Sequence, residues 1–171
     1  MNMNASHENS DQMTRGLTWN VKDSLLAYVS RLADGAVLVD GGAEFTADGS
    51  IRFPHSPVAN DDGAASGPTF TFSGSLTLSG HDELLHISIE GPAVSVMGDE
   101  IEVSGVDALT GMRVTIALGT VTSRRETDDD LVVEASSLAL QESATELFAH
   151  QYPLGTILSP LLMCVPLRRP V

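Results

Sequence analysis

Between residues 18 and 32, TWNVKDSLLAYVSRL, apolar positions recur every three to four residues. Val21, Leu25, Tyr28, Val29 and Leu32 fall on one stripe at a helical period, which predicts an amphipathic helix. Thr18 or Asn20 is placed to cap its start, and Asp23 lies in the first turn, where the helix dipole favours an acid. The ADG triplet at 33–35 ends it, with Gly35 suited to a left-handed position just past the helix.

Beyond the helix the period drops to two. AVLVDGGAEF and SIRF read as strands around the ADG turn at 47–49, and PHSPVANDDGAASG, residues 54–67, reads as a long polar loop. In PTFTFSGSLTLSG, Phe70, Phe72, Leu76 and Leu78 alternate with Thr69, Thr71, Ser75 and Thr77, giving one buried and one wet face. LLHISI sends Leu85, Ile87 and Ile89 one way and His86 and Ser88 the other. AVSVM and EIEVSG form a hairpin about Gly98-Asp99, and GMRVTIALG and LVVEASSLAL add two strands. A second short helix over about 142–151 carries Leu147 and Phe148 and stops at Pro153; from Gly155 the chain reads as irregular or extended. Six to nine short strands predict an all-β fold, a β-sandwich or partly open barrel, with two short helices near the chain ends. Residues 1–16 read as a flexible tail, 17–165 as one domain and 166–171 as a C-terminal tail.

Composition narrows the function classes. An apolar content of 42% over 171 residues suffices for one sizeable core. The net charge of −14, from 23 acids and 9 bases, argues against nucleic acid and anionic membrane surfaces as partners. The single cysteine, Cys164, allows neither an internal disulfide nor a Cys-based zinc site. The acidic run Asp128, Asp129 and Asp130 lacks the ligand spacing of a calcium loop. TILSPLLMCVPL is broken by Pro160 and Pro166 and is too short to span a bilayer, so membrane insertion is not expected. With no apolar stretch near residue 1, the sequence as it stands predicts a soluble, cytoplasmic protein.

No phosphate loop, dinucleotide fingerprint or hydrolase elbow is present. The histidines are His7, His55, His81, His86 and His150, and no two have the spacing of a metal pair. His55, His86 and His150 acquire no role, and an enzyme is not expected. Two features remain: Tyr28, with Ser24 one turn earlier on the same helix face, and His81 in SGHDELL between two strong strands. Taken singly, Tyr28 reads as an amphipathic core residue with its hydroxyl at the surface, and His81 as a polar turn residue.

Taken together, these segments resemble a known family. LTWNVKDSLLAYV is similar to the opening motif of the haem-transport-associated (HtaA-type) domain, in which Trp, Lys, Ser and Tyr recur at the spacing of Trp19, Lys22, Ser24 and Tyr28. FSGSLTLSGHDELLHISIEGPAV is similar to the family's central stretch with its Gly-His pair, and ATELFAHQYPLGTILSPL to its closing stretch. The three matches keep the family's order over about residues 17–165. The resemblance implies a mostly β domain that binds ferric haem, with Tyr28 as the axial iron ligand, His81 supporting it and Ser24 in the same pocket. Asn20 stands where the family usually has Gly, and Leu25 where it usually has Phe, which is expected to thin the aromatic lining.

Elementary chemistry agrees with that carry-over. Ferric iron is hard and favours an anionic oxygen, and tyrosinate is one of the axial ligands proteins offer to haem. A phenol ordinarily ionises near pH 10, so the ferric charge itself must favour the phenolate, helped by a hydrogen bond from a neighbouring imidazole. Ser24 and Arg31 lie on the polar flank of Tyr28, where donors suit haem propionates, and Val21, Leu25 and Leu32 form the apolar flank. The expected function is capture, storage or transfer of ferric haem, with other haem-transport proteins as partners. Family members are usually secreted or surface-anchored. The alternative is an apo β-sandwich that serves as an interaction or structural module without haem.

Overall fold

The computed structural model describes residues 14–56 and 68–167. The strands are β1 (Gly16–Trp19), β2 (Ala36–Asp40), β3 (Glu44–Phe45), β4 (Ile51–Ser56), β5 (Thr69–Phe72) and β6 (Ser75–Gly80). They continue with β7 (Leu85–Met97), β8 (Glu100–Asp107), β9 (Met112–Glu126), β10 (Asp130–Leu140) and β11 (Leu161–Pro166). One helix, α1 (Asp23–Arg31), joins β1 to β2.

Strand order runs β7-β5-β4-β1-β11-β10-β9-β8, and β8 pairs back onto β7. Eight strands therefore close a ring, which removes the free edges that an open sheet exposes. The expected barrel is closed rather than partly open. Strand β7 makes this possible by its length. Its second half pairs with β5 and β8 in the ring, while its first half pairs with β6, and β6 with β2. The result is a three-stranded flange extending from the barrel wall. The ladder between β7 and β8 shifts register between Glu90 and Ala93, where Gly91 has φ +50°. A bulge of this kind bends a strand and lets it serve two sheets. LLHISI and AVSVM, expected as separate strands, are thus one bent strand.

Alternation places the core. Leu17, Trp19, Ile51, Phe53, Phe72, Val94, Val96, Ile101, Val103, Val133, Met163 and Val165 are all buried. The flange contributes Leu76, Leu78, Ile87 and Ile89 to the same cluster, and α1 adds Leu25 and Val29. The helix is therefore held by its apolar face beside β2 and β6. Among the described residues no helix is long and apolar enough to cross a membrane.

Several sequence expectations need correction. The helix begins at Asp23, not at Thr18. Leu17, Trp19 and Val21 alternate at a period of two, and Leu17 and Trp19 point inward as strand residues. Neither Thr18 nor Asn20 caps the helix. Lys22 is the N-cap without a side-chain bond, and the Asp23 N–H is instead taken by the Ser159 hydroxyl at 2.7 Å. Val21 lies outside the helix, in the left-handed region at φ +65°. Gly35 is not left-handed; a Cβ there would lie 1.8 Å from the Val29 carbonyl oxygen, so close packing demands glycine. The second helix over 142–151 shrinks to a 3-10 turn, Glu142–Ala144, followed by turns, with Leu147 and Phe148 still buried. Gly16, read as tail, is in β1, and Pro166 ends β11. Residues 54–56 of the expected polar loop belong to β4. The rest of that loop, residues 1–13 with His7, and 168–171 lie outside the described residues.

Candidate functional site

The opening motif splits into anchors and exposed groups. The Trp19 indole N–H donates to the Ser159 carbonyl at 2.9 Å, and the Ser159 N–H to the Val21 carbonyl at 2.8 Å. The Lys22 ammonium donates to the Ile157 carbonyl at 3.3 Å and lies 5.2 Å from the Tyr152 ring centre. The Asn20 side chain accepts the Ile51 N–H at 2.9 Å and donates to Asp23 at 2.8 Å. First and last segments of the domain thus lock together at the start of α1. Trp19, Asn20 and Lys22 set where the helix begins and which face it presents.

That face carries Ser24, Tyr28 and Arg31, one turn apart and all exposed. Tyr28 is 46% exposed, against 3% for Leu25 on the core side. Tyr28 Oη is hydrogen-bonded to His81 Nε2, and the two rings lie 5.7 Å apart, tilted by 46°. With the ring proton on Nδ1 the phenol donates; with it on Nε2 the phenol oxygen accepts. The structure therefore joins Tyr28 to His81, a contact that sequence alone does not show. Ser24 and Arg31 flank Tyr28 on the helix, and Arg31 forms no ion pair among the described residues.

His81 opens the turn between β6 and β7. His81, Asp82 and Glu83 have φ of +52°, +54° and +68°. Three successive non-glycine residues in the left-handed region cost of order 1 kcal/mol each or more. The compensation comes from Asp34, just past α1. Its carboxylate accepts the Asp82 N–H at 2.7 Å and the His81 N–H at 3.2 Å. Those bonds hold the Asp34 carboxyl below its ordinary range, the Asp82 N–H foremost, although desolvation opposes them. Gly80 admits the helix end: a Cβ there would meet Leu32 Cδ1 at 2.6 Å.

The apolar flank differs from expectation. Val21 and Leu25 are buried in the core, so neither walls the exposed face; Leu25 in place of Phe changes core filling rather than a pocket lining. Leu84, which closes the turn through its N–H to the His81 carbonyl, is 84% exposed. Sequence reasoning missed Leu84 and Asp34. The signal for Leu84 was its phase, since it precedes the buried series Leu85, Ile87 and Ile89 and cannot share their face. Asp34 was hidden inside a triplet read only as a stop.

The remaining histidines sit on other elements. His55, in β4, meets Phe72 edge-on at 6.0 Å. His86 lies opposite Ser79 in the β6–β7 ladder. His150, at φ +55°, lines a cleft of about 540 Å³ with Tyr152 and Leu154. That cleft, and two others of about 440 and 460 Å³, are lined by residues other than Tyr28 and His81. Tyr28 and His81 are themselves both exposed, so the pair stands on an open face.

The donor set suits a porphyrin iron better than a bare cation. No group of three or more His, Cys, Asp or Glu side chains converges among the described residues. A single hard oxygen with an imidazole at its side fits an ion whose equatorial positions are already filled. Arg31 offers a cation on the same helix face, and Leu84 an exposed apolar side chain at the turn.

Comparisons with known proteins place the fold. The N-terminal domain of HtaA from Corynebacterium glutamicum superposes with a TM-score of 0.73 at 17% identity, over 90% of this chain and 97% of that one. The C-terminal domain of the same protein gives 0.69 at 21% identity, over 88% and 94%. The heme binding protein HtaB from the same organism gives 0.60 at 16% identity, over 88% and 91%. No curated protein matches the chain. The HtaA family model (described as Htaa) matches residues 14–163, a span that takes in α1, the Tyr28–His81 face and all of the barrel but the end of β11, and the chain belongs to that family.

Proposed function

We propose that this protein is a haem carrier, which takes ferric haem on the face beside α1 through the Tyr28 oxygen and passes it on chemically unchanged. The observation that carries this reading is the hydrogen bond between Tyr28 and His81, made across 53 residues of sequence on an open face. A phenol that only completed a core would turn its ring inward and leave its hydroxyl to water. Here the ring is half out of the core and the oxygen is held by an imidazole.

Ferric haem, when bound, supplies the Lewis acid that stabilises a phenolate at neutral pH. The chain supplies the rest. His81 Nε2–H donates to the phenolate oxygen and fixes its direction. Arg31 would pair with a propionate, and Ser24 would offer a hydroxyl one turn from Tyr28. Leu84 would give the ring apolar contact. The name of the HtaB neighbour, a heme binding protein, supports the same reading. An open face also suits hand-over, because an acceptor protein can reach the cargo without the barrel unfolding.

Titration of the purified protein with hemin, followed by visible absorption, tests this. A saturable change at one equivalent, with a tyrosinate-type spectrum and no peroxide turnover beyond that of free hemin, is expected. A titration indistinguishable from hemin in buffer would overturn the carrier reading and leave a barrel used as an interaction module.

A further inference from the structure

We infer that Asp34 is the positioning residue of this site: its carboxylate, by accepting the His81 and Asp82 N–H groups, holds the β6–β7 turn in the conformation that aims His81 Nε2 at the Tyr28 oxygen. The role assigned to His81 rests on the haem-carrier reading; the geometry that Asp34 enforces does not.

A run of three left-handed residues without glycine is not the resting state of a four-residue turn. Released, His81–Glu83 would relax toward ordinary turn geometry, and a change of φ at His81 swings its ring away from α1. Beyond the Leu84 N–H that closes the turn on the His81 carbonyl, two side-chain interactions oppose that relaxation. One is the Tyr28–His81 hydrogen bond itself, which is the contact to be explained. The other is Asp34, which uses one carboxylate oxygen for each of two successive N–H groups, Oδ1 for His81 and Oδ2 for Asp82.

Asp34 is well placed for this because it is itself fixed. It follows the last turn of α1, where the Gly35 N–H donates to the Leu32 carbonyl at 3.1 Å and close packing at Gly35 leaves no room for a side chain. The turn that ends the Tyr28 helix therefore carries the clamp on His81, so both partners are referenced to the end of α1. The chemistry is specific to a carboxylate. Asparagine keeps one acceptor but turns an NH₂ donor toward the second N–H. Glutamate keeps both acceptors on a stem one methylene longer.

The experiment has an arm without haem. In the labelled apoprotein, the His81 imidazole resonances are compared between the parent and Tyr28→Phe, and again with Asp34→Asn in both. The Tyr28→Phe change should shift the His81 signals in the parent background and leave them nearly unmoved in the Asp34→Asn background. In the hemin arm, Asp34→Asn and Asp34→Ala should each weaken binding by about tenfold or more, as losses of supporting groups around metal ligands do. Asp34→Glu should recover part of that loss. Adding Asp34→Asn to His81→Ala should cost nothing further. Fluorescence of Trp19 and far-ultraviolet circular dichroism verify that each variant is folded. If the His81 response to Tyr28→Phe survives Asp34→Asn, or if the Asp34 and His81 losses simply add, the inference is wrong. A parent that fails to bind hemin removes the carrier reading only, and the resonance arm still decides the role of Asp34.

Discussion

Tyr28 is a residue whose neighbours decide its meaning. On the helical stripe it looks like one more core position, but at 46% exposure it stands apart from Leu25 and Val29, which are buried. Its presence on an exposed face and its partner His81 separate the roles that the sequence could only suggest. Ser24 and Arg31 were legible as its neighbours because helical spacing fixes them. Asp34 and Leu84 were not, since their importance comes from a turn conformation that no periodicity encodes. The first prediction belongs at this scale. His81→Ala should keep the fold and weaken hemin binding by roughly 10- to 100-fold, the usual size of such second-partner losses. The measurement is hemin affinity by competition with a known haem scavenger. A loss larger than that caused by removing the Tyr28 hydroxyl would reverse their assigned order.

At the scale of elements, α1 has few local stabilisers of its own. It has nine residues, too few to persist alone in water, and its N-cap makes no side-chain bond. The missing cap comes from Ser159, more than a hundred residues away, and no sequence pattern could have announced that. Ser159→Ala should therefore act like the loss of a helix cap, destabilising the protein by about 1 kcal/mol. Denaturant unfolding followed through Trp19 measures this, and an unchanged midpoint would contradict it. The β6–β7 turn carries a pH signature. The folded pKa of Asp34 lies below its ordinary value of 3.8, chiefly because the Asp82 N–H bonds the charged form. A depressed carboxylate stabilises the turn fully above that ordinary value and loses its contribution as pH falls through the folded one. The Asp34 carboxyl, followed through its own side-chain carbon signal, should therefore titrate with a midpoint below 3.8. A midpoint above 3.8 would show that the carboxylate is not so bonded.

For the whole molecule, strand alternation gave the fold class, and the clearest strands, from Thr69 through Leu140, were legible because each buries one face against the core. Closure of the barrel was not, because it depends on β1 and β11, two short segments at opposite ends of the domain that pair with each other. The same closure brings Ser159 to the start of α1 and so sets the face on which Tyr28 stands. The family's three motif stretches thus have one structural sense: the first and third meet to seat the helix, and the second brings His81 to it. On the haem-carrier proposal, the barrel holds one phenol oxygen ready for ferric haem. Tyr28→Phe tests it most directly, because it removes that oxygen and little else. Visible spectra of parent and variant, each titrated with hemin, are the measurement. A tyrosinate-type spectrum and tight binding are expected in the parent, with both lost in a variant that remains folded. An unchanged spectrum and affinity in Tyr28→Phe would contradict it.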